Sequence, residues 1–296
     1  MHWILRKEAA MNIPSPAALA MAIVCTASLT LLMRLFSSSQ SNRYGMILGN
    51  YLTCSVIGFL LIPDKALLLH ARPATVWCGV AGGVLFVLSL VCLQSSIPVS
   101  GAILTSAFSK LGLLVPLALS IFLFHEMPTV LQGCGILFVL LAFLVMNRTS
   151  DEHAQQFHLL SLLIVLLTSG MADAMAKVYS TAQLPGEEPV YMFLLFLCAS
   201  VLTTYLLLWE TRRSGKKAQL KDLASGIAIG IPNYFSSLFL LAALRSIPSF
   251  IVYPVFSAGG ILLVTAAGIL LFHEHLSKNQ SLGLLMILVS LVLLNI

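Results

Sequence analysis

The feature that most constrains this chain is that it is written twice. Leu123-Phe124-His125-Glu126 recurs as Leu271-Phe272-His273-Glu274, 148 residues later, and 148 is half of the 296-residue length. At the same offset Phe108-Ser109 matches Phe256-Ser257, Gly112 matches Gly260, Gly135 matches Gly283 and Asn147 matches Asn295. Each copy, within 100–147 and 248–295, is an apolar run of about 22 residues, a short polar turn and a second apolar run, which is a helical hairpin sized for a bilayer. Thr129 with Gln132, and Ser277 with Gln280, have the spacing of a capping box at the start of the second helix. Glu126 and Glu274 stand just before those boxes, near the positive end of the next helix, and read as structural turn residues. His273-Glu274-His275 does not put two histidines one helical turn apart, so it is no zinc motif.

Composition gives the solvent. Hydrophobic residues make up 59% of the chain and charged residues 9%, against about 25% charged in a soluble domain. The chain is expected to be a multi-pass integral protein of the cell membrane, with the lipid bilayer as its first partner. Its net charge of +5 is concentrated in loops, where it bears on orientation and not on nucleic acid. The six cysteines fall in apolar runs with neither zinc nor disulfide spacing. All seven histidines lie in the tail or in loops, and no nucleophile elbow, paired-acid cluster or metal spacing appears. The sequence therefore predicts no enzyme, no cofactor and no metal. Residues 1–14 form an N-terminal tail, and the apolar run after it reads as a membrane helix rather than a signal peptide, because it has a counterpart later in the chain.

Ten apolar runs are long enough to be membrane helices: 15–35, 44–63, 75–95, 100–124, 129–147, 157–180, 189–209, 223–244, 249–272 and 279–296. They fall into two matching halves, 1–147 and 157–296, joined by a loop at 148–156. Helices 1 and 6 align Thr26 with Ser169 and Arg34 with Lys177, and helices 2 and 7 open with Tyr44 and Tyr191. Helices 3 and 8 carry Gly79-x-x-x-Gly83 and Gly226-x-x-x-Gly230, followed by Ser96-Ile-Pro98 and Ser246-Ile-Pro248. Small residues four apart let membrane helices approach closely. Five helices per half is an odd number, so the second half enters the membrane upside down. The expected fold is all-α and integral to the membrane, with ten transmembrane helices as two inverted five-helix repeats. Such repeats build secondary transporters with a site near the midplane.

This pattern, two five-helix repeats each closing with a helix, a turn ending in glutamate and a glycine-containing last helix, resembles the EamA-like family of the drug/metabolite transporter (DMT) superfamily over nearly the whole chain. The resemblance implies a carrier for small metabolites, an exporter or exchanger, coupled to a proton or an exchanged solute, as monomer or homodimer. It also implies cytoplasmic termini. The positive-inside rule points the other way, since that arrangement leaves four basic loop residues inside and eight outside. The charge count favours outside termini, with the basic loop 210–222 in the cytoplasm.

Four ionisable residues stand inside apolar runs: Arg34, Lys110, Asp173 and Lys177. Such residues cost about 2.5–3.5 kcal/mol on insertion scales and usually face a cavity or a partner. Arg34 and Lys177 lie late in their helices and can snorkel. Asp173 and Lys177 are four apart and can pair on one helix face. Lys110 has Ala258 as its repeat equivalent, so symmetry does not demand it, and Ser106 and Ser109 surround it with hydroxyls. Lys110 would hold an anionic group of the substrate, with Asp173 balancing its charge when the site is empty. Pro232 in helix 8 removes a backbone hydrogen bond at mid-membrane, which makes Asn233, Tyr234 and Ser237 candidates for cavity hydrogen bonds. Tyr253 and Ser257 on helix 9 are candidates of the same kind, while Asn50 fits helix packing. The substrate expected is a small polar metabolite, with a carboxylate-bearing one such as an amino acid as the leading class. A cationic multidrug exporter, a non-transporting receptor or scaffold and a membrane-embedded enzyme are the alternatives.

Overall fold

The computed structural model describes residues 13–36, 42–146, 158–182, 186–215, 217–272 and 277–294. Residues 1–12 of the tail, the loop 148–156 and Glu274 lie outside them. Among the described residues the chain is helical throughout: α1 Ser15–Phe36, α2 Arg43–Leu61, the single turn α3 Leu67–His70, α4 Pro73–Ser100, α5 Ala102–Leu111, α6 Leu114–Phe122, α7 Val130–Met146, α8 Leu159–Thr181, α9 Glu188–Ser214, α10 Leu220–Ala243, α11 Ser249–Phe272 and α12 Lys278–Leu294. Among the described residues eight stretches are long and apolar enough to cross a membrane, the α5–α6 stretch Thr105–Phe122 counting as one. α7 and α12 are apolar helices of 17 residues. At 1.5 Å per residue each is about 25 Å long, short of a hydrocarbon layer of about 30 Å. They pack on each other, Ser290 Oγ donating to the Gly135 carbonyl at 2.8 Å. Both expected capping boxes form, Thr129 N and Ser277 N each donating to the glutamine three residues on.

Lipid explains what stays on the outside. Trp77, Val80, Val84 and Leu88 form an exposed stripe along α4, and Leu282, Leu285, Val289 and Val292 form one along α12. In water, apolar faces of this size would mark a binding surface; against acyl chains they need no cover. Helices suit this solvent because each satisfies its own backbone polar groups.

The run 100–124 does not make one helix. It breaks between α5 and α6 at Gly112-Leu113. Pro116 has no N–H for the Gly112 carbonyl four residues back, and Val115 N donates to that carbonyl at 2.9 Å instead. The break also serves packing, since Gly112 and Gly170 of α8 meet backbone to backbone: a Cβ on Gly112 would stand 2.9 Å from Gly170 N. By contrast α10 runs through Pro232 and α4 through Pro98 without interruption.

Glycines also set two other close crossings. A Cβ on Gly226 of α10 would meet the Met46 carbonyl of α2 and stand 2.7 Å from Gly49 Cα. On the other side, a Cβ on Gly83 of α4 would stand 2.5 Å from the Leu195 carbonyl oxygen of α9. The helix pairings are matched in the same way. α2 packs on α10 and α9 on α4; α1 packs on α10 and α8 on α4; α1 packs on α11, and α8 on α5 and α6. α2 also packs on α9, and α6 on α11.

Candidate functional site

The candidate site forms around α8, which packs on α4, α5, α6 and α10. Ser169 of α8 lies 3.1 Å from Ser109 of α5 and 3.3 Å from Ser89 of α4, hydroxyl to hydroxyl. One turn further along α8, Asp173 is accessible, and so are Ser106 and Lys110, one turn apart on α5. Lys110 is within electrostatic reach of Asp173. Among the described residues no ion pair within 4.0 Å joins the two. Lys110 and Asp173 thus bring one positive and one negative charge to two packed helices, near the Ser109–Ser169 pair.

The other sequence candidates divide. Tyr253 is buried, and its hydroxyl donates to the backbone carbonyl of Asp173 at 2.7 Å. Ser257, one turn on, and Ser237 are half-buried. Asn233 donates to Asn50 of α2 at 3.0 Å, tying α10 to α2. Tyr234 is fully buried against Phe196 and Phe235, and its hydroxyl has no partner among the described residues. On the opposite flank Thr26 of α1 bonds to Ser236 of α10, which donates to the Ala22 carbonyl at 3.2 Å. Thr26 is the residue the repeat aligns with Ser169, so each flank carries a hydroxyl contact; only the Ser169 flank also has Lys110 and Asp173.

Lys177 does not pair with Asp173. Its ammonium binds Glu126 at 2.5 Å, 5.3 Å from the centre of the Phe124 ring. The second Glu126 oxygen accepts from the Ser120 hydroxyl and from Ser249 N, the latter at 2.9 Å. Glu126 therefore caps α11 and not α7, the helix that follows it. Its approach is set by His125, whose φ of 55° is in the left-handed region that ends helices and turns the chain back. Nearby Tyr179 and Tyr191 stack at 4.1 Å. Arg72 and Thr75 bind Glu187, and Arg245 binds Glu188. These contacts lie at one end of the bundle, where α8 stops and α4, α9 and α11 begin. The sequence signal for Glu126 was the duplicated Leu-Phe-His-Glu string, whose long-range partners no local rule supplies.

Burial pushes the Glu126 carboxyl up, but Lys177, the Ser120 hydroxyl and the Ser249 amide outweigh it and hold it below the usual carboxylate range. A depressed folded pKa gives stability that is complete above the ordinary carboxylate range and is lost as pH falls through the folded value. Glu126→Gln should accordingly be less thermostable than the parent protein near neutral pH, with the gap closing in acid. A gap of the same size at every pH would show that the carboxylate charge is not what matters.

Comparisons with known proteins agree with this architecture. Residues 192–287 match the family described as Small Multidrug Resistance protein. A protein of Haemophilus influenzae described as uncharacterized is 27% identical over 280 residues, covering 89% of this chain and 92% of its own. An uncharacterized membrane protein of Bacillus subtilis, YvaE, is 37% identical over 81 residues, 25% of this chain and 68% of its own. A solved crystal structure superposes with a TM-score of 0.74 at 13% identity, covering 94% of this chain and 95% of its own; at that identity the likeness is one of fold. The class defined is a multi-pass integral membrane protein, part of which is similar to the small multidrug resistance proteins. The chain belongs to one family with the Bacillus subtilis membrane protein.

Proposed function

We propose that the chain is a secondary active transporter, an exporter or exchanger, of a small metabolite bearing both a carboxylate and an ammonium, such as an amino acid. One observation carries this reading: Lys110 and Asp173 are both accessible on two helices that pack on each other, within electrostatic reach yet not closed into an ion pair among the described residues. A zwitterion would meet both charges at once. In a low-dielectric space those attractions exceed their value in water, and neither residue would be left as a bare charge. The hydroxyls of Ser106, Ser109 and Ser169 would supply neutral hydrogen bonds.

The fold proposed is ten membrane helices in two inverted five-helix repeats of EamA-like type. Its support is that exchanging the halves maps the helix pairings onto themselves: α2–α10 onto α9–α4, α1–α10 onto α8–α4, and α1–α11 onto the packing of α8 on α5 and α6. Alternating access then follows from rocking one half against the other around a central site.

A second reading, a cationic drug exporter, draws on a specific observation. Lys177 is engaged with Glu126, which leaves Asp173 with Lys110 as the basic residue in reach and closer to the unbalanced acid that a cation site needs. The match of residues 192–287 to the small multidrug resistance family also favours it. Solute flux in proteoliposomes, screened over metabolites and lipophilic cations, tests both readings. Absence of any flux would favour a receptor, scaffold or enzyme.

A further inference from the structure

We propose that Glu126 and Lys177 form a latch between the two halves of the chain, which shuts one end of the transport path and must part for substrate to pass that end. The latch rests on the transport reading for its purpose, although its existence can be read without any substrate.

Glu126 belongs to the first half, yet each of its oxygens reaches the second. Lys177 near the end of α8 takes one, and the other is shared by Ser249 N at the start of α11 and Ser120 of the first half. Lys177 is 7% exposed, so the pair is largely withdrawn from water. For such a pair the cost of desolvation offsets part of the Coulombic gain. That suits a contact that has to open and close: if the halves separate, water re-solvates both ions and returns part of what the closed pair supplied. Removing one partner is different, because the other remains buried and bare.

The latch is joined to the site by a second rung. Asp173 and Lys177 are four residues apart on α8, and Ser249 and Tyr253 are four apart on α11. Glu126 ties Lys177 to Ser249, and Tyr253 ties α11 back to the Asp173 carbonyl. A substrate group that draws Asp173 toward itself thus pulls on the helix that carries Lys177. Around this ladder the end is sealed by buried Tyr179, Tyr191 and Tyr253, and by a second tie across the halves from Glu187 to Arg72 and Thr75. Beneath that layer Asp173, Lys110 and Ser106 are accessible. The repeat carries Arg34 and Glu274 at the sequence positions matching Lys177 and Glu126, so both halves hold the residue types of a latch.

Hydrogen exchange on the full chain in detergent micelles reads the latch directly. In Glu126→Gln and in Lys177→Gln, amides within 177–182 and 249–253 should exchange about tenfold faster, as local opening becomes easier. Lys177→Arg, which keeps the charge, should stay near wild type, and the α7–α12 interface should keep its protection in all three variants. Unchanged exchange at 249–253 in both glutamine variants would overturn the latch. So would faster exchange spread evenly over the whole chain, the mark of a merely structural pair. Failure of the transport reading would show separately, as absence of flux through the wild-type protein.

Discussion

Lys110→Ala is expected to lower flux of a carboxylate-bearing substrate in proteoliposomes by about 100-fold, while the purified protein stays folded. The magnitude follows from losing a charge-assisted hydrogen bond worth about 1.5–3 kcal/mol, with the loss amplified in a low-dielectric space. Lys110 is accessible and takes part in no ion pair among the described residues, so removing it breaks no buried ion pair. Lys110→Arg should keep part of the flux, since charge persists but geometry changes. Normal transport by Lys110→Ala would make Lys110 a snorkelling residue and remove the anionic subsite.

Gly226→Val is expected to have the largest effect on folding. α2 and α10 touch backbone to backbone at this point, where a Cβ would meet the Met46 carbonyl and stand 2.8 Å from Asn50 N. Side chains can repack around an intruding methyl, but backbone cannot without parting the helices. Overpacking typically costs about 1–3 kcal/mol, and a backbone clash belongs at or above the top of that range. Against a total stability of about 5–15 kcal/mol, that predicts a marked fall in the yield of monodisperse protein and in its melting temperature. Gly133, beside which a Cβ would meet nothing within 4 Å, supplies the control: Gly133→Val should fold normally. Equal behaviour of the two variants would contradict the close crossing.

These two positions differ in how readable they were. The crossing was legible, because Gly226-x-x-x-Gly230 and Gly79-x-x-x-Gly83 state in sequence which helix faces come close. So were the capping boxes, which are local by nature. The break at Gly112 was written in the chain as Pro116 four residues on, and was hidden by the apolar composition of the run. Lys177 shows where local rules end. Asp173 four residues before it satisfies the spacing for a pair on one helix, yet Glu126, 51 residues away in sequence, holds the ammonium. Tyr234 shows the same limit, since a residue next to a mid-membrane proline reads as cavity-lining, whereas this one is packed against Phe196 of a neighbouring helix. Spacing gives the face of a helix, and only the packing of all the helices decides what that face meets.

Counterflow in proteoliposomes with charge-edited versions of one solute tests the central claim most directly. A transported amino acid would be compared with its methyl ester, which keeps only the ammonium, and its N-acetyl derivative, which keeps only the carboxylate. If Lys110 and Asp173 read the two ends of a zwitterion, the parent amino acid exchanges and both derivatives fail. Robust counterflow of the ester, or of a lipophilic cation with no carboxylate, alongside none for amino acids, would contradict the account and make Asp173 the centre of a cation site.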